Sequence, residues 1–226
     1  MSTTTTESPE GIDLTRLLGL APSSPRLTSL LTSLSTSPSS PPTLPPPPEL
    51  KSYPDIVYFN YHSLGLSISY EPTTKSYKPR YNLTSISQLE LDKLSCTGID
   101  IYNHEATSSD PTTAAPTNSV KPTYSPFPNY PLLLPSPTCS SSSSSIHFPL
   151  IPTTNGKELV SVYGEPTRKG GGDTKGLGIW TEWLAEGIMV EWASGGLGAW
   201  DKGGESVWKV VSLFEPGNGK GKEEND

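Results

Sequence analysis

Segment 58–70 reads Tyr-Phe-Asn-Tyr-His-Ser-Leu-Gly-Leu-Ser-Ile-Ser-Tyr, and it aligns without gaps with segment 180–192, which reads Trp-Thr-Glu-Trp-Leu-Ala-Glu-Gly-Ile-Met-Val-Glu-Trp. In both segments an aromatic residue is followed by a second aromatic residue three positions later and by a glycine four positions after that. Aliphatic residues then alternate with polar residues or Met, up to a final aromatic residue. Such alternation is typical of a β-strand with one buried face. The match therefore predicts a tandem duplication.

Two weaker matches flank these segments in the same order. Residues 20–24 and the spaced leucines after them resemble residues 150–154 and the apolar residues that follow those. Downstream, residues 98–103 resemble residues 210–215. The offset between partners falls from about 130 through 122 to 112, as expected when packed elements are kept and their connections vary in length.

Each copy is predicted to form a helix followed by an antiparallel three-stranded meander. The first helix follows Ser23 or Ser24 as a cap, and the second follows Thr153, Thr154 or Asn155. The predicted strands are Ile56–Tyr61, Leu66–Tyr70 and Gly98–Asn103 in the first copy, and Ile179–Leu184, Ile188–Trp192 and Val207–Phe214 in the second.

Four residues are predicted to have structural roles at the joins. Gly65 and Gly187 lie in the short connections between strands, Gly164 ends the second helix, and Pro166 follows it. One helix and one meander cannot bury their apolar surface alone. The predicted fold class is therefore α+β, with about six strands in one sheet that both copies share and with both helices on a single face.

Composition sets the predicted boundaries. The first copy spans 12–103 and contains a Pro-rich loop at 36–48, and the second spans 146–216. Residues 1–11, 104–145 and 217–226 are rich in Ser, Thr, Pro, Gly or charge, and we predict that they are disordered. Within 104–145, the candidates for local docking are Tyr124, Phe127, Tyr130 and Leu132–Leu134. The two copies are expected to form one domain, because the remaining residues suffice for one compact core.

Charge and hydropathy argue against several classes of protein. The net charge is −7, with no basic stripe, so nucleic-acid binding is not expected. No apolar stretch approaches the roughly 20 residues of a membrane span. The N-terminus lacks the features of a signal peptide, and two cysteines suit a reducing compartment, so a cytoplasmic or nuclear protein is expected, not a secreted one.

The residues that carry chemistry are scattered. Three histidines and two cysteines share no ligand spacing, so neither a metal nor another cofactor is predicted. No nucleophile elbow, paired-histidine zinc motif or phosphate loop of the required strand-to-helix order is present. We therefore expect a non-enzymatic protein; a hydrolase with Glu182 or Glu191 as its acid is the least favoured alternative.

The five tryptophans all lie in the second copy. Trp180, Trp183, Trp192 and Trp208 suit the core and cross-strand pairs, whereas Trp200 lies between glycine-rich stretches and is predicted to be exposed. The candidate partner-binding residues are Trp200, Trp183, Glu182 and Tyr61.

Segment 58–70 also resembles the repeated strand block of the phagophore assembly factor family, formerly an uncharacterised protein family. Gly164-Glu165-Pro166 matches the Gly-x-Pro element of that family. The resemblance implies repeated helix-plus-strand units, an architecture similar to outer-membrane assembly lipoproteins and β-lactamase inhibitors, and an adaptor role linked to autophagy. Members of the family are longer than this chain, so the resemblance implies a short relative with two units, and it carries over no catalytic residue.

Two functions follow as expectations. The first is a protein-interaction module or adaptor that binds an unidentified protein through its aromatic-rich sheet face. The alternative is a carrier of a small molecule or lipid, with a cavity between the sheet and the helices.

Overall fold

The computed structural model describes residues 11–35, 47–103, 123–137, 147–172, 178–195, 201 and 203–217. The disorder predicted for both chain ends, for most of 36–48 and for most of 104–145 lies outside these residues, and so does Trp200. Within 104–145, however, residues 123–137 are structured, and Phe127 is only 1% exposed. This stretch contains the aromatic and leucine residues named above as candidates for local docking, and the apolar surface that they bury offsets its prolines.

The fold is α+β, with antiparallel sheet and two α-helices in the described part of the chain. Two compact units are present. The tyrosine unit consists of Leu17–Pro128 and Lys209–Phe214, and the tryptophan unit consists of Met1–Arg16, Asn129–Trp208 and Glu215–Asp226. The predicted boundaries 12–103 and 146–216 differ from this division, because residues 209–214 pair with strands of the tyrosine unit.

In the residues that the structure describes, the tyrosine unit contains one α-helix and five strands. Helix α1 is Pro25–Ser35, and the strands are β1 (Glu49–Ser52), β2 (Val57–Tyr61), β3 (Leu66–Pro72), β4 (Leu94–Tyr102) and residues 209–214 of β10 (Trp208–Phe214). The strand order is β1-β2-β3-β4-β10, and every neighbouring pair is antiparallel. Strand β4 begins four residues before the predicted start at Gly98, because an irregularity between Ser69 and Tyr70 restores pairing with β3 up to Leu94.

One face of these strands is buried and the other is more polar. Phe59, Ile68, Ile99 and Leu213 lie opposite one another across β2, β3, β4 and β10, and each is at most 2% exposed. The buried leucines of α1 are Leu27, Leu31 and Leu34, which follow helical spacing. This alternation is what the period-two pattern of segment 58–70 predicts.

The tryptophan unit contains the second helix and a smaller set of strands. Helix α2 is Gly156–Tyr163, and the strands are β5 (Leu132–Leu134), β6 (Phe148–Leu150), β7 (Arg168–Gly170), β8 (Gly178–Trp183) and β9 (Ile188–Gly195). Strand β5 pairs with β6, and β8 pairs with both β7 and β9. Asn155 caps α2: its side chain accepts from the Glu158 N–H at 3.1 Å, and its own N–H donates to the Glu158 carboxylate at 2.8 Å.

Three buried indoles anchor the core of the tryptophan unit through their N–H groups. Trp183 Nε1 donates to the Gly164 carbonyl at 3.0 Å, and Trp208 Nε1 donates to the Ile151 carbonyl at 2.8 Å. Trp192 Nε1 donates to Thr181 Oγ1 at 3.0 Å. A buried indole N–H that lacks a partner is costly, so these bonds fix the orientation of each ring as well as its burial.

Two central hairpins turn at glycines with a positive φ angle. Gly65 joins β2 to β3 with a φ of 57°, and Gly187 joins β8 to β9 with a φ of 69°. At Gly65 there is also no room for a side chain, because an added Cβ would lie 2.7 Å from Phe127 N and closer still to the Ser125 carbonyl oxygen. The positive φ angle of Gly65 and the close approach of the backbone of residues 125–127 therefore both require glycine at this turn.

We predict that replacing Gly65 lowers the free energy of unfolding by about 2 kcal/mol or more. Gly65→Asn is the matched control for Gly65→Ala, because Asn tolerates a left-handed φ but cannot avoid the backbone of residues 125–127. Urea denaturation should show both variants destabilised. An Asn variant within about 0.5 kcal/mol of the parent would contradict the steric part of this account.

Candidate interaction surface

The hairpin of β8 and β9 has two faces of different character. Its inner face is buried and consists of Ile179, Thr181, Trp183, Ile188, Val190 and Trp192. The opposite side, which we call the outer face, consists of Trp180, Glu182, Met189 and Glu191, all of intermediate exposure. Across the two strands Trp180 lies opposite Glu191, and Glu182 lies opposite Met189.

Strand β7 holds the Trp180 ring in place. An added Cβ on Gly170 would lie 2.7 Å from Trp180 Cζ2, so the indole packs directly against the glycine backbone. The Arg168 guanidinium carbon lies 5.8 Å from the centroid of the ring, within the range of a cation–π contact. These contacts fix an aromatic ring that keeps part of its area accessible.

Glu182 is the acidic group at the centre of the outer face. Its Oε2 lies 3.3 Å from Arg168 Nε; the Glu182 side chain is 13% exposed and the Arg168 side chain is 64% exposed. The pair lacks hydrogen-bond geometry, because Oε2 is buried and accepts no hydrogen bond. A charge pair with one partner so exposed contributes about 1 kcal/mol or less. Oε2 therefore has an unused acceptor position, and that position is enclosed by its neighbours.

A groove runs beside the Trp180 ring. Its volume is about 370 Å³, and its lining residues are Gly171, Gly178, Trp180, Met189 and Glu191. The two glycines leave space that side chains would fill; an added Cβ on Gly178 would lie 3.0 Å from Glu191 Oε1. A volume near the lower end of the range for ligand pockets suits one or two side chains of a partner.

Two of the predicted partner-binding residues lie in the interior. Trp183 is 1% exposed and packs against Tyr163, with 5.8 Å between the ring centroids. Tyr61 is 5% exposed, and burial raises the pKa of its phenol to about 12. Neither ring offers the accessible area that a direct contact with a partner needs, so their role as contact residues is corrected to one in the core. Trp200 lies outside the described residues.

A second, smaller cavity lies next to α2. It has a volume of about 140 Å³ and is lined by Val160, Pro166, Ile179, Thr181 and Trp192, among others. Pockets for drug-sized ligands have volumes of roughly 300 Å³ or more. The cavity is therefore too small for a lipid chain or a typical metabolite.

Among the described residues, no group of three or more His, Cys, Asp or Glu could hold a metal ion. His62 pairs with Glu49, with 2.7 Å between Nε2 and Oε2, which resembles the orienting half of a catalytic dyad. The other ring nitrogen, Nδ1, is buried and has no hydrogen-bond partner among the described residues, so none of their hydroxyl or thiol groups is hydrogen-bonded to it as a nucleophile would be. No helix of the described residues is both long and apolar enough to cross a membrane.

A proline-rich segment, whose Tyr124 and Phe127 are among the candidates for local docking named from the sequence, covers the outer side of β2 and β3. Residues 123–128, which we call the strap, place the Tyr124 ring against two others: it stacks on Tyr102 at 3.8 Å between centroids, and it lies 4.4 Å from His62. Tyr124 OH donates to Asn60 Oδ1 at 2.7 Å, and Ser67 Oγ donates to the same atom at 2.8 Å. The aromatic residues of this proline-rich stretch were the available signal.

Compared with protein-family models, with curated proteins and with solved structures, the chain gives no match. The resemblance to the phagophore assembly factor family is thus an argument from residues 58–70 and 164–166 only.

We predict opposite consequences for two tryptophans of strand β8. Trp183→Ala removes a fully buried indole and its bond to Gly164, and should cost about 3–5 kcal/mol of stability. Trp180→Ala removes a partly exposed ring from the outer face and should cost about 1 kcal/mol. Thermal and urea unfolding of the two variants measure the difference; equal losses would mean that Trp180 belongs to the core.

Proposed function

We propose that this chain is a non-enzymatic protein-interaction module and that the outer face of β8 and β9 is its binding surface. The observation that carries the proposal is the partly exposed Trp180 ring, held by Gly170 and Arg168 beside a groove of about 370 Å³. Trp, Met and Arg are enriched at protein interfaces, and a rigid aromatic ring next to a pocket is a common anchor of binding energy.

The charges of the outer face indicate what the partner must supply. Glu182 lies directly opposite Met189 across the hairpin, and Glu191 lies two residues beyond Met189 on the same strand. Ionised carboxylates only accept hydrogen bonds, so the partner segment is expected to present N–H or O–H donors. Charge complementarity of this kind mainly sets specificity and the rate of association, and apolar contact with Trp180 and Met189 supplies affinity.

The tandem duplication is part of the proposal, and the two hairpins support it. Tyr61 pairs with Leu66 as Trp183 pairs with Ile188, and Asn60 pairs with Ser67 as Glu182 pairs with Met189. Along segments 58–70 and 180–192, the burial class agrees at every position except the Asn60–Glu182 and Ser67–Met189 correspondences. Equal register and equal burial are expected of hairpins copied from one ancestor.

The third strands agree with this interpretation. Residues 98–102 of β4 pair with 210–214 of β10, and Asp100 and Ser212 lie opposite each other at the centre of that register. These two residues also occupy the same place in the aligned segments 98–103 and 210–215. Ser212 Oγ donates to Asp100 Oδ1 at 2.6 Å. Such a self-complementary register supports a common origin of the two strands and a meander in each copy.

The adaptor role in autophagy rests on the resemblance of residues 58–70 to the phagophore assembly factor family, and the cytoplasmic location rests on the sequence arguments above. Both are proposals on those grounds. The carrier function is less favoured, since the cavity next to α2 has a volume of only about 140 Å³.

Site-specific photo-cross-linking tests the interaction function. A photoreactive residue at Met189 in the full chain should form adducts with a protein in extracts of the cells that produce it, and Trp180→Ala should reduce them about tenfold or more. The control places the same residue at Thr28 on the surface of α1. Equal adducts at the two positions, or adducts that Trp180→Ala leaves unchanged, would refute the binding surface.

A further inference from the structure

The strap shows how the tyrosine unit uses its own chain to cover a hairpin. Its backbone is tied to the ends of two strands, because Ser125 N–H donates to the His62 carbonyl at 2.9 Å and Phe127 N–H donates to the Tyr102 carbonyl at 2.7 Å. Tyr124 then reaches Asn60, which is 4% exposed, as is Ser67 opposite it. Asn60 and Ser67 are therefore buried at a place where the strands alone present a polar face.

The tryptophan unit has a counterpart of the hydrogen bond from Ser125 to His62, but it has no counterpart of Tyr124 at the matching position. Gly217 N–H donates to the Leu184 carbonyl at 3.0 Å, and Leu184 corresponds to His62 in the aligned segments. Gly217 thus takes the place of Ser125, and the residue before it, Pro216, takes the place of Tyr124. Pro216 is exposed, whereas Tyr124 is half-buried.

The consequence is visible at the counterparts of Asn60 and Ser67. Glu182 and Met189 occupy those two positions, and they are the two positions in the aligned segments at which burial drops from buried to intermediate. Glu182 Oε2 also lacks a hydrogen bond, whereas the corresponding Asn60 Oδ1 accepts two. One hairpin is completed by a tyrosine, and the equivalent place on the other has an acceptor with spare capacity.

We propose that Glu182 and Met189 bind a tyrosine side chain of a partner protein, carried on an extended segment, in the way that Asn60 and Ser67 bind Tyr124. The inference rests on the proposed function and specifies the ligand of the same surface. The phenol donates its proton to the Glu182 carboxylate, which makes a charge-assisted hydrogen bond. The ring lies on the Met189 side chain, where a thioether–aromatic contact is favourable.

A peptide with the sequence of residues 121–128 (Lys-Pro-Thr-Tyr-Ser-Pro-Phe-Pro) is the probe, because its copy within the chain already binds the equivalent place. Isothermal titration of the full chain with this peptide should give saturable binding, with a Kd of roughly 1 mM or below. Replacing the peptide tyrosine by phenylalanine should weaken binding about tenfold, since it removes the donor and keeps the ring.

A double-mutant cycle tests whether the tyrosine hydroxyl of the peptide contacts Glu182. Glu182→Leu should weaken the tyrosine peptide about tenfold and leave the phenylalanine peptide within about twofold, so that the two changes are not additive. Glu191→Leu is the matched control on the same face, and it should reduce both peptides by the same factor. Unchanged thermal unfolding of each variant separates binding from folding.

Three outcomes would overturn the inference. The first is a tyrosine peptide and a phenylalanine peptide that bind equally or not at all. The second is binding that Asn60→Ala changes and Glu182→Leu does not, which would mean that the peptide displaces the strap. The third is peptide binding that is seen with Trp200→Ala and not with the parent chain, which would mean that Trp200 itself occupies the place beside Glu182 and Met189. Cross-linking from Met189 is independent of all three, so the interaction function can hold when the tyrosine ligand does not.

Discussion

A glycine with positive φ closes each of the two central hairpins, and the register of both depends on it. Side chains alternate between faces with a period of two, so a slip of one residue would exchange the buried and the outer face of the strand. At Gly65 the turn is fixed from two sides, by its own left-handed backbone and by residues 125–127 of the strap. The core of each hairpin and the chemistry of its outer side follow from these turns.

The elements that could be predicted are those whose own residues carry a period. Leu27, Leu31 and Leu34 mark α1, and the alternation after Gly65 and Gly187 marks β3 and β9. Strands β1, β5, β6 and β7 have three or four residues and no alternation of their own. Strands β1 and β7 form because β2 and β8 offer them an edge, and β5 and β6 form by pairing with each other. Both are tertiary effects that local composition does not contain.

The candidate site was predicted in part, and the error has a physical cause. Alternation separates Trp180 and Glu182 from Thr181 and Trp183, but it does not say which pair faces the core. That choice is made by the Trp183 indole, which finds the Gly164 carbonyl and the Tyr163 ring on the inner side. Glu182 lies on the outer face, and the partly exposed ring beside it is that of Trp180 and not that of Trp183.

A single aligned position accounts for the different outer sides of the two hairpins. Asn60 is neutral, so it can be buried once its carbonyl oxygen is hydrogen-bonded by Tyr124 and Ser67. Burying an ionised carboxylate to the same extent would cost several kcal/mol unless it were paired and fully hydrogen-bonded. The exposed Arg168 offsets only part of that cost, since it is largely solvated. An amide thus permits closure by the chain itself, whereas with a carboxylate at the same position the outer face of β8 and β9 remains more exposed at Glu182 and Met189.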